Sequence, residues 1–196
     1  MRPSDRSDVC TLVAHSILAD FGIFDVVFLT ADLCDRDIPA GDLSIDLLNE
    51  IMPNNDQLMA IHVNGSDLRD AIEHGIDSYH FQGLAAAYPK IAGVRFRVKL
   101  KAPYGQRVKG VQVMNSHCSW KPLDETQNYR VLTTQSLAAG THHYWSLTRS
   151  SVQLATKTRV KDAFWFFATS TCVLRDPFRQ PKQVLQVGNR TRAAVA

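Results

Sequence analysis

The side chains best suited to chemistry are few and scattered along this sequence. His142 and His143 stand side by side in Gly140-Thr141-His142-His143, a pair that could bind metal only if further ligands gathered around it. Hydrolysis on two metal ions needs two clusters of Asp, His and Asn side chains to hold both ions and activate water. The sequence contains no DxH, GNHE or GNHD segment, so the pair reads as two solvent-accessible loop histidines. His62 and His74 fall on a strand and a helix, where histidines are ordinarily core or surface residues. Ser136 would be a nucleophile only if a histidine and an aspartate assembled around it, and no G-x-S-x-G elbow presents it. Cys10, Cys34, Cys118 and Cys172 form no CxxC pair, which argues against a zinc knuckle or a thioredoxin-like site. A domain of this size does not require disulfides, so buried, reduced cysteines are the expectation and the redox compartment stays open. Trp120, Trp145 and Trp165 read as packing anchors, with Trp145 beside Tyr144 a candidate wall of a concavity.

The elements that must position these groups follow from periodicity and punctuation. Ser7 or Asp8 can cap a helix running to Asp20, ended by Gly22. Asp25 to Leu29 is short and β-branched, as a buried strand requires. Asp42 or Ser44 can cap a helix from Ile45 to Ile51 that Pro53 terminates. Gln57 to Asn64 reads as a strand, followed by a helix from Asp67 to about Tyr79 capped by Ser66. Val94 to Leu100 alternates strictly and Val108 to Met114 repeats the pattern after Pro103-Tyr104-Gly105, which predicts a hairpin. Tyr129 to Thr134 is a further strand, Ser136 to Gly140 a small-residue loop, and Val160 to about Thr169 an apolar helix that must be largely covered. The tail from Asp176 holds a possible last strand, Gln183 to Val187. Helices alternate with strands and a hairpin follows, which points to mixed sheets with helices outside, an α+β class.

Composition limits the partners. The chain has 196 residues, 45% hydrophobic and 21% charged, as one globular domain with a proper core would have. Net charge is +3 and the basic residues spread from Arg2 to Arg192, so a dense basic stripe for nucleic acid is not expected. No run is long enough for a membrane span, and the N-terminus lacks a signal-peptide core. An intracellular location is therefore expected if Met1 is the native start.

Several blocks carry a resemblance to a known family. Asp37-Ile38-Pro39-Ala40-Gly41-Asp42-Leu43-Ser44 is similar to the ADIPAGDLT stretch of 5'-nucleotidases. Met52-Pro53 stands where that family has LPF, and Val63-Asn64-Gly65-Ser66-Asp67-Leu68 where it has VKGSDL. Ala87-Tyr88-Pro89-Lys90-Ile91-Ala92-Gly93-Val94-Arg95-Phe96 is similar to YPQVSGLRF, and Tyr129-Arg130-Val131-Leu132-Thr133 precedes Leu137-Ala138 as in YRVVTNDFLANGGDGY. The spacing matches from roughly Asp8 to Val187. The chain thus resembles the family's C-terminal, substrate-recognising domain. That resemblance implies an α-β-β-α sandwich of mixed sheets with outer helices, spanning 1–196 as one domain with its core at about 8–187. It also implies that the two divalent metals belong to a separate metallophosphatase domain absent here, so that this chain holds no cofactor.

The resemblance fails at the residues that would touch a ligand. In register, Gly140-Thr141-His142-His143 occupies the family's GGDG segment. The family's NGGGIR loop, whose Asn and Arg face the ligand, is replaced by Thr30-Ala31-Asp32-Leu33-Cys34-Asp35. Asp35 in place of the arginine reverses the sign of a phosphate contact. Two like charges about 4 Å apart at an effective dielectric of ~20 repel by roughly 4 kcal/mol. Arg36, one position on, could substitute if the loop slips by one residue. Of the two aromatic rings that grip the base, Asn54 replaces the first and Tyr144 retains the second. Thr30, Asp35, Arg36, Asn54 and Tyr144 are the candidate substrate-binding residues, and no catalytic residue is expected.

Two functional classes follow. One is a non-catalytic binding module, a drifted recognition domain that serves a nucleoside-like ligand or a protein partner. The other is the substrate-binding part of a nucleotide phosphohydrolase that acts with a separate or removed metallophosphatase chain. A structural subunit using the rings of Trp165, Phe166 and Phe167 as an interface is a third.

Overall fold

The computed structural model describes residues 9–115, 118–170, 173–175 and 184–186. The Ser7 or Asp8 cap, Cys172 and the prolines of the tail lie outside the described residues.

The first helix, α1 (Val9–Phe21), ends at Gly22, which adopts a left-handed φ of 58° and returns its N–H to Leu18 O at 3.1 Å. Strand β1 (Val26–Thr30) follows, fully buried along its length. Helix α2 (Ile45–Ile51) is capped by Ser44, whose Oγ accepts from Leu47 N. Strand β2 (Gln57–Asn64) leads into α3 (Gly65–Phe81). The cap of α3 is Asn64 rather than Ser66: Asn64 Oδ1 accepts from Ser66 N at 3.0 Å, so the helix starts at Gly65, earlier than the sequence suggests. Strands β3 (Pro89–Ala92), β4 (Val94–Val98), β5 (Val108–Met114), β6 (Trp120–Pro122) and β7 (Asn128–Thr134) come next. The expected loop after β7 opens with a helical turn, α4 (Gln135–Ala138), because Thr134 Oγ1 accepts from Leu137 N. Helix α5 (Trp145–Thr148), strand β8 (Val152–Arg159) and helix α6 (Val160–Ser170) follow, and β9 (Val173–Arg175) pairs antiparallel with β10 (Val184–Gln186).

The main sheet has five strands in the order β3-β1-β7-β2-β8, parallel only between β1 and β7. A three-stranded antiparallel sheet, β4-β5-β6, forms separately. Side-chain alternation sends β1 into two cores at once. Val27 and Leu29 join Val13, Ile17, Leu58 and Phe164 beneath α1, α2 and α6. Val26 and Phe28 join Ile61, Leu68, Ile72 and the valines of β5 on the opposite face. Helices therefore cover one side of the main sheet, while α3 and the small sheet share the other. The molecule is α+β with mixed and antiparallel sheets, as expected.

The cysteine expectation is corrected. Cys10 on α1 and Cys34 in the loop after β1 are joined by a disulfide with Cα atoms 5.8 Å apart, across 24 positions of sequence. The strand order brings the start of α1 beside the loop that leaves β1, a proximity invisible in linear spacing. Cys118 is exposed and free.

Candidate functional site

Strand β1 ends at Thr30 and passes into a single 3-10 turn, Ala31–Leu33. The loop beyond is fixed at several points. Ala31 N donates to Tyr88 O at 3.0 Å, Asp35 N donates to Ile51 O at 2.8 Å, and Cys34 is held to α1 by the disulfide. Opposite stands the 3-10 turn Ala85–Ala87. Between them opens a cleft of about 470 Å³, lined by Cys10, Ala31, Asp32, Cys34, Asp35, Arg36, Asp37, Ala85, Ala86 and Lys90. That volume suits a small organic ligand.

The structure distributes the predicted site residues unevenly. Asp35 and Arg36 both line the cleft. Arg36 forms an ion pair with Glu50 at the end of α2, with more than half of its side chain exposed. Thr30 is buried beneath the cleft and donates its hydroxyl to Asp32 Oδ1 at 2.6 Å. Asn54 is exposed in the loop after α2 and is not among the lining residues.

Tyr144 does not line the cleft. It is fully buried, its hydroxyl donates to Ala87 O at 2.6 Å, and its ring meets Phe28 at 5.3 Å and His74 at 5.0 Å edge-on. Burial, followed by the nearby charge of Asp32 and by Tyr88, holds its phenol far above the ordinary value. A ring so enclosed stacks on protein. The exposed aromatic at this point is its neighbour Trp145.

Three participants stand outside the candidate binding residues. Asp32 accepts from Thr30 and pairs through Oδ2 with His142 Nε2 at 2.8 Å, joining the loop after β1 to the loop after α4. His142 is thus partly buried, not a freely accessible loop residue. Lys90, from β3, is 7% exposed and lines the cleft, its ammonium 5.6 Å from the Tyr88 ring centre. Asp32 was visible in the Thr30 to Asp35 run, but nothing in the sequence marked its partner.

The loop after α4 keeps a glycine-like backbone without the glycines. Gly140, His142 and His143 all have positive φ, at 95°, 56° and 64°. A left-handed conformation costs a non-glycine residue roughly 1–2 kcal/mol, and local contacts must offset it. His142 O accepts from His74 Nε2 at 2.7 Å, its ring is held by Asp32, and the His143 ring packs on Trp145 at 5.9 Å. Thr30, Asp32, His142 and His74 therefore form one chain of hydrogen bonds behind the cleft. Its geometry fixes loops.

Among the described residues, no three His, Cys, Asp or Glu side chains come together in a way that could hold an ion. What the cleft offers is three carboxylates, from Asp32, Asp35 and Asp37, against the cations of Arg36 and Lys90.

Comparison with known proteins places this geometry. Residues 2–149 match the model of the 5'-nucleotidase C-terminal domain. A probable 5'-nucleotidase of Treponema pallidum is 27% identical over 158 residues, covering 77% of this chain and 27% of that protein. The 5'-nucleotidase precursor of Thermus thermophilus superimposes with a TM-score of 0.75 at 20% identity, covering 82% of this chain and 32% of that one. The NAD nucleotidase of Haemophilus influenzae gives the same TM-score and identity, over 82% and 30%. The chain spans no more than 27% of the length of any of the eight curated relatives it matches.

Proposed function

The chain belongs to the 5'-nucleotidase C-terminal domain family, and from that premise we propose that it is a non-catalytic recognition module, one domain with its core at about 8–187, whose cleft has lost its grip on phosphate. The observation that carries this reading is the charge of the cleft wall. Asp32, Asp35 and Asp37 line it against a single buried lysine, Lys90, while Arg36 is drawn into its ion pair with Glu50. One negative charge of a phosphate brought against Asp35 meets repulsion of about 4 kcal/mol at ~4 Å separation and an effective dielectric of ~20. A neutral, nucleoside-like ligand meets none.

Two further observations favour the same reading. Tyr144 is enclosed and Asn54 stands outside the cleft, so the pair of rings expected to clamp a base is not displayed. Stacking on each ring would be worth roughly 1–3 kcal/mol by analogy with single-strand binders. The disulfide to α1 and the Asp32–His142 pair hold the cleft walls in place, as a binding site needs.

The second reading, substrate recognition for a metallophosphatase chain, rests on the family's usual arrangement and on the preserved framework around residues 37–44 and 87–96. Phosphate release separates the two. The purified chain is expected to release no phosphate from AMP in manganese or zinc, alone or with a metallophosphatase domain added. Release that appears only on adding that domain supports the second reading and overturns the first.

A further inference from the structure

The small sheet concentrates charge in a way the whole-chain total conceals. Between Val94 and Pro122 the sequence carries seven Lys and Arg residues and no Asp or Glu, although the complete chain has a net charge of only +3. The remainder is therefore net acidic. Arg95, Arg97, Lys99, Lys101, Lys109 and Lys121 are all exposed. Register places Arg95 opposite Gln112 and Arg97 opposite Lys109, with Arg95 also lying 4.5 Å from the Trp120 ring centre.

The tip of this hairpin adds apolar surface. Val98, Leu100 and Tyr104 are exposed, Tyr104 by 58%, and they alternate or neighbour with Lys99 and Lys101. The tip is held in shape from behind. Buried Glu73 of α3 accepts from Gly105 N, Arg107 N and Val108 N at 2.7–2.9 Å. Arg107 pairs with Asp77 and lies 3.9 Å from the Phe81 ring centre. Glu73 and Asp77 of α3 are thus engaged in fixing the hairpin, Asp70 near Tyr104 faces Arg149 at 4.0 Å, and Phe81 itself is exposed beside the tip.

We propose that the β4-β5-β6 sheet and its tip, residues 98–107, form a docking surface for an anionic lipid bilayer. Clustered cations draw a surface to negatively charged headgroups, each contributing about fivefold in partition. Aliphatic and tyrosine side chains at the tip supply the second, apolar signal that stable peripheral attachment needs. A nucleic acid or a sulfated polymer would use the cations and gain nothing from Val98 and Leu100. This surface is distinct from the cleft and does not depend on its ligand.

Vesicle flotation of the full chain tests the proposal. The protein is expected to float with phosphatidylcholine vesicles containing phosphatidylserine, to stay behind with phosphatidylcholine alone, and to be released by salt. Lys99→Gln with Lys101→Gln should lower partition about 25-fold. Leu100→Ser with Tyr104→Ser should also lower it, with an unchanged unfolding temperature because both side chains are exposed. Failure to float with the anionic vesicles overturns the proposal. So does flotation that survives the Leu100 and Tyr104 changes while duplex DNA competes it away, since that outcome marks a general polyanion surface.

Discussion

Tyr144→Phe separates a core residue from a ligand-stacking one. The hydroxyl donates to Ala87 O at 2.6 Å in a fully buried position. Its removal loses a hydrogen bond worth about 1 kcal/mol net and strands a buried carbonyl, for a total of about 1–2 kcal/mol. In a protein of this size each kcal/mol moves Tm by about 2–4 °C, so thermal unfolding followed by circular dichroism should show a drop of about 2–8 °C. The phenylalanine keeps the edge-on contacts to Phe28 and His74, and adenosine affinity measured by calorimetry should stay within about twofold. Tyr144→Ala, which also deletes the ring, should cost about 3–5 kcal/mol. An unchanged Tm for Tyr144→Phe combined with a tenfold loss of adenosine affinity would refute the core assignment.

Other consequences are equally open to measurement. Cys34→Ser should lower unfolding stability by about 3 kcal/mol in denaturant titration, as loop closure over this separation implies, and alkylation without reductant should leave Cys10 and Cys34 unmodified in the parent protein; labelling of both would contradict the bond. Burial alone would raise the Asp25 carboxyl, but hydrogen bonds from the guanidinium and backbone N–H of Arg130, with its charge, bring it below the ordinary value. A folded pKa below the unfolded one gives stability that is present above the unfolded value and lost as pH falls through the folded one. Asp25→Asn should therefore shift the urea midpoint at pH 7 and leave it nearly unchanged at about pH 2; an equal shift at both would refute this. Gly75→Ala, normally stabilising inside a helix by ~1 kcal/mol, should here destabilise by about 1–3 kcal/mol. Its new Cβ would fall 2.2 Å from the Tyr144 hydroxyl oxygen and 2.7 Å from Pro89 Cδ, and a raised Tm would show that the helix accommodates it.

What sequence reasoning could see depended on whether the cause was local. The bounds of α2 and β2 were legible because Ser44, Pro53 and the alternation of Gln57 to Asn64 act within a few residues. The β4-β5 hairpin was legible for the same reason, and Val94-Arg95-Phe96-Arg97 kept its alternation in the structure. Strands β3 and β8 were not, since β3 is four residues opening on a proline and β8 is largely exposed on the edge of the main sheet. Family framework blocks could be read along the chain, but the cleft could not. Asp32 and His142 lie 110 positions apart, Cys10 and Cys34 meet only through the fold, and the burial of Tyr144 depends on Phe28, His74 and Ala87 from three separate elements. The basic run from Arg95 to Lys121 was legible in the sequence, hidden only by the whole-chain net charge of +3.

The claim that matters most is that this cleft no longer selects for phosphate, and a paired calorimetric titration of adenosine and AMP into the purified chain tests it most directly. The charge arrangement of Asp32, Asp35 and Asp37 predicts that AMP binds no more tightly than adenosine. AMP binding at least tenfold tighter than adenosine, with that advantage abolished by Arg36→Ala, would contradict it.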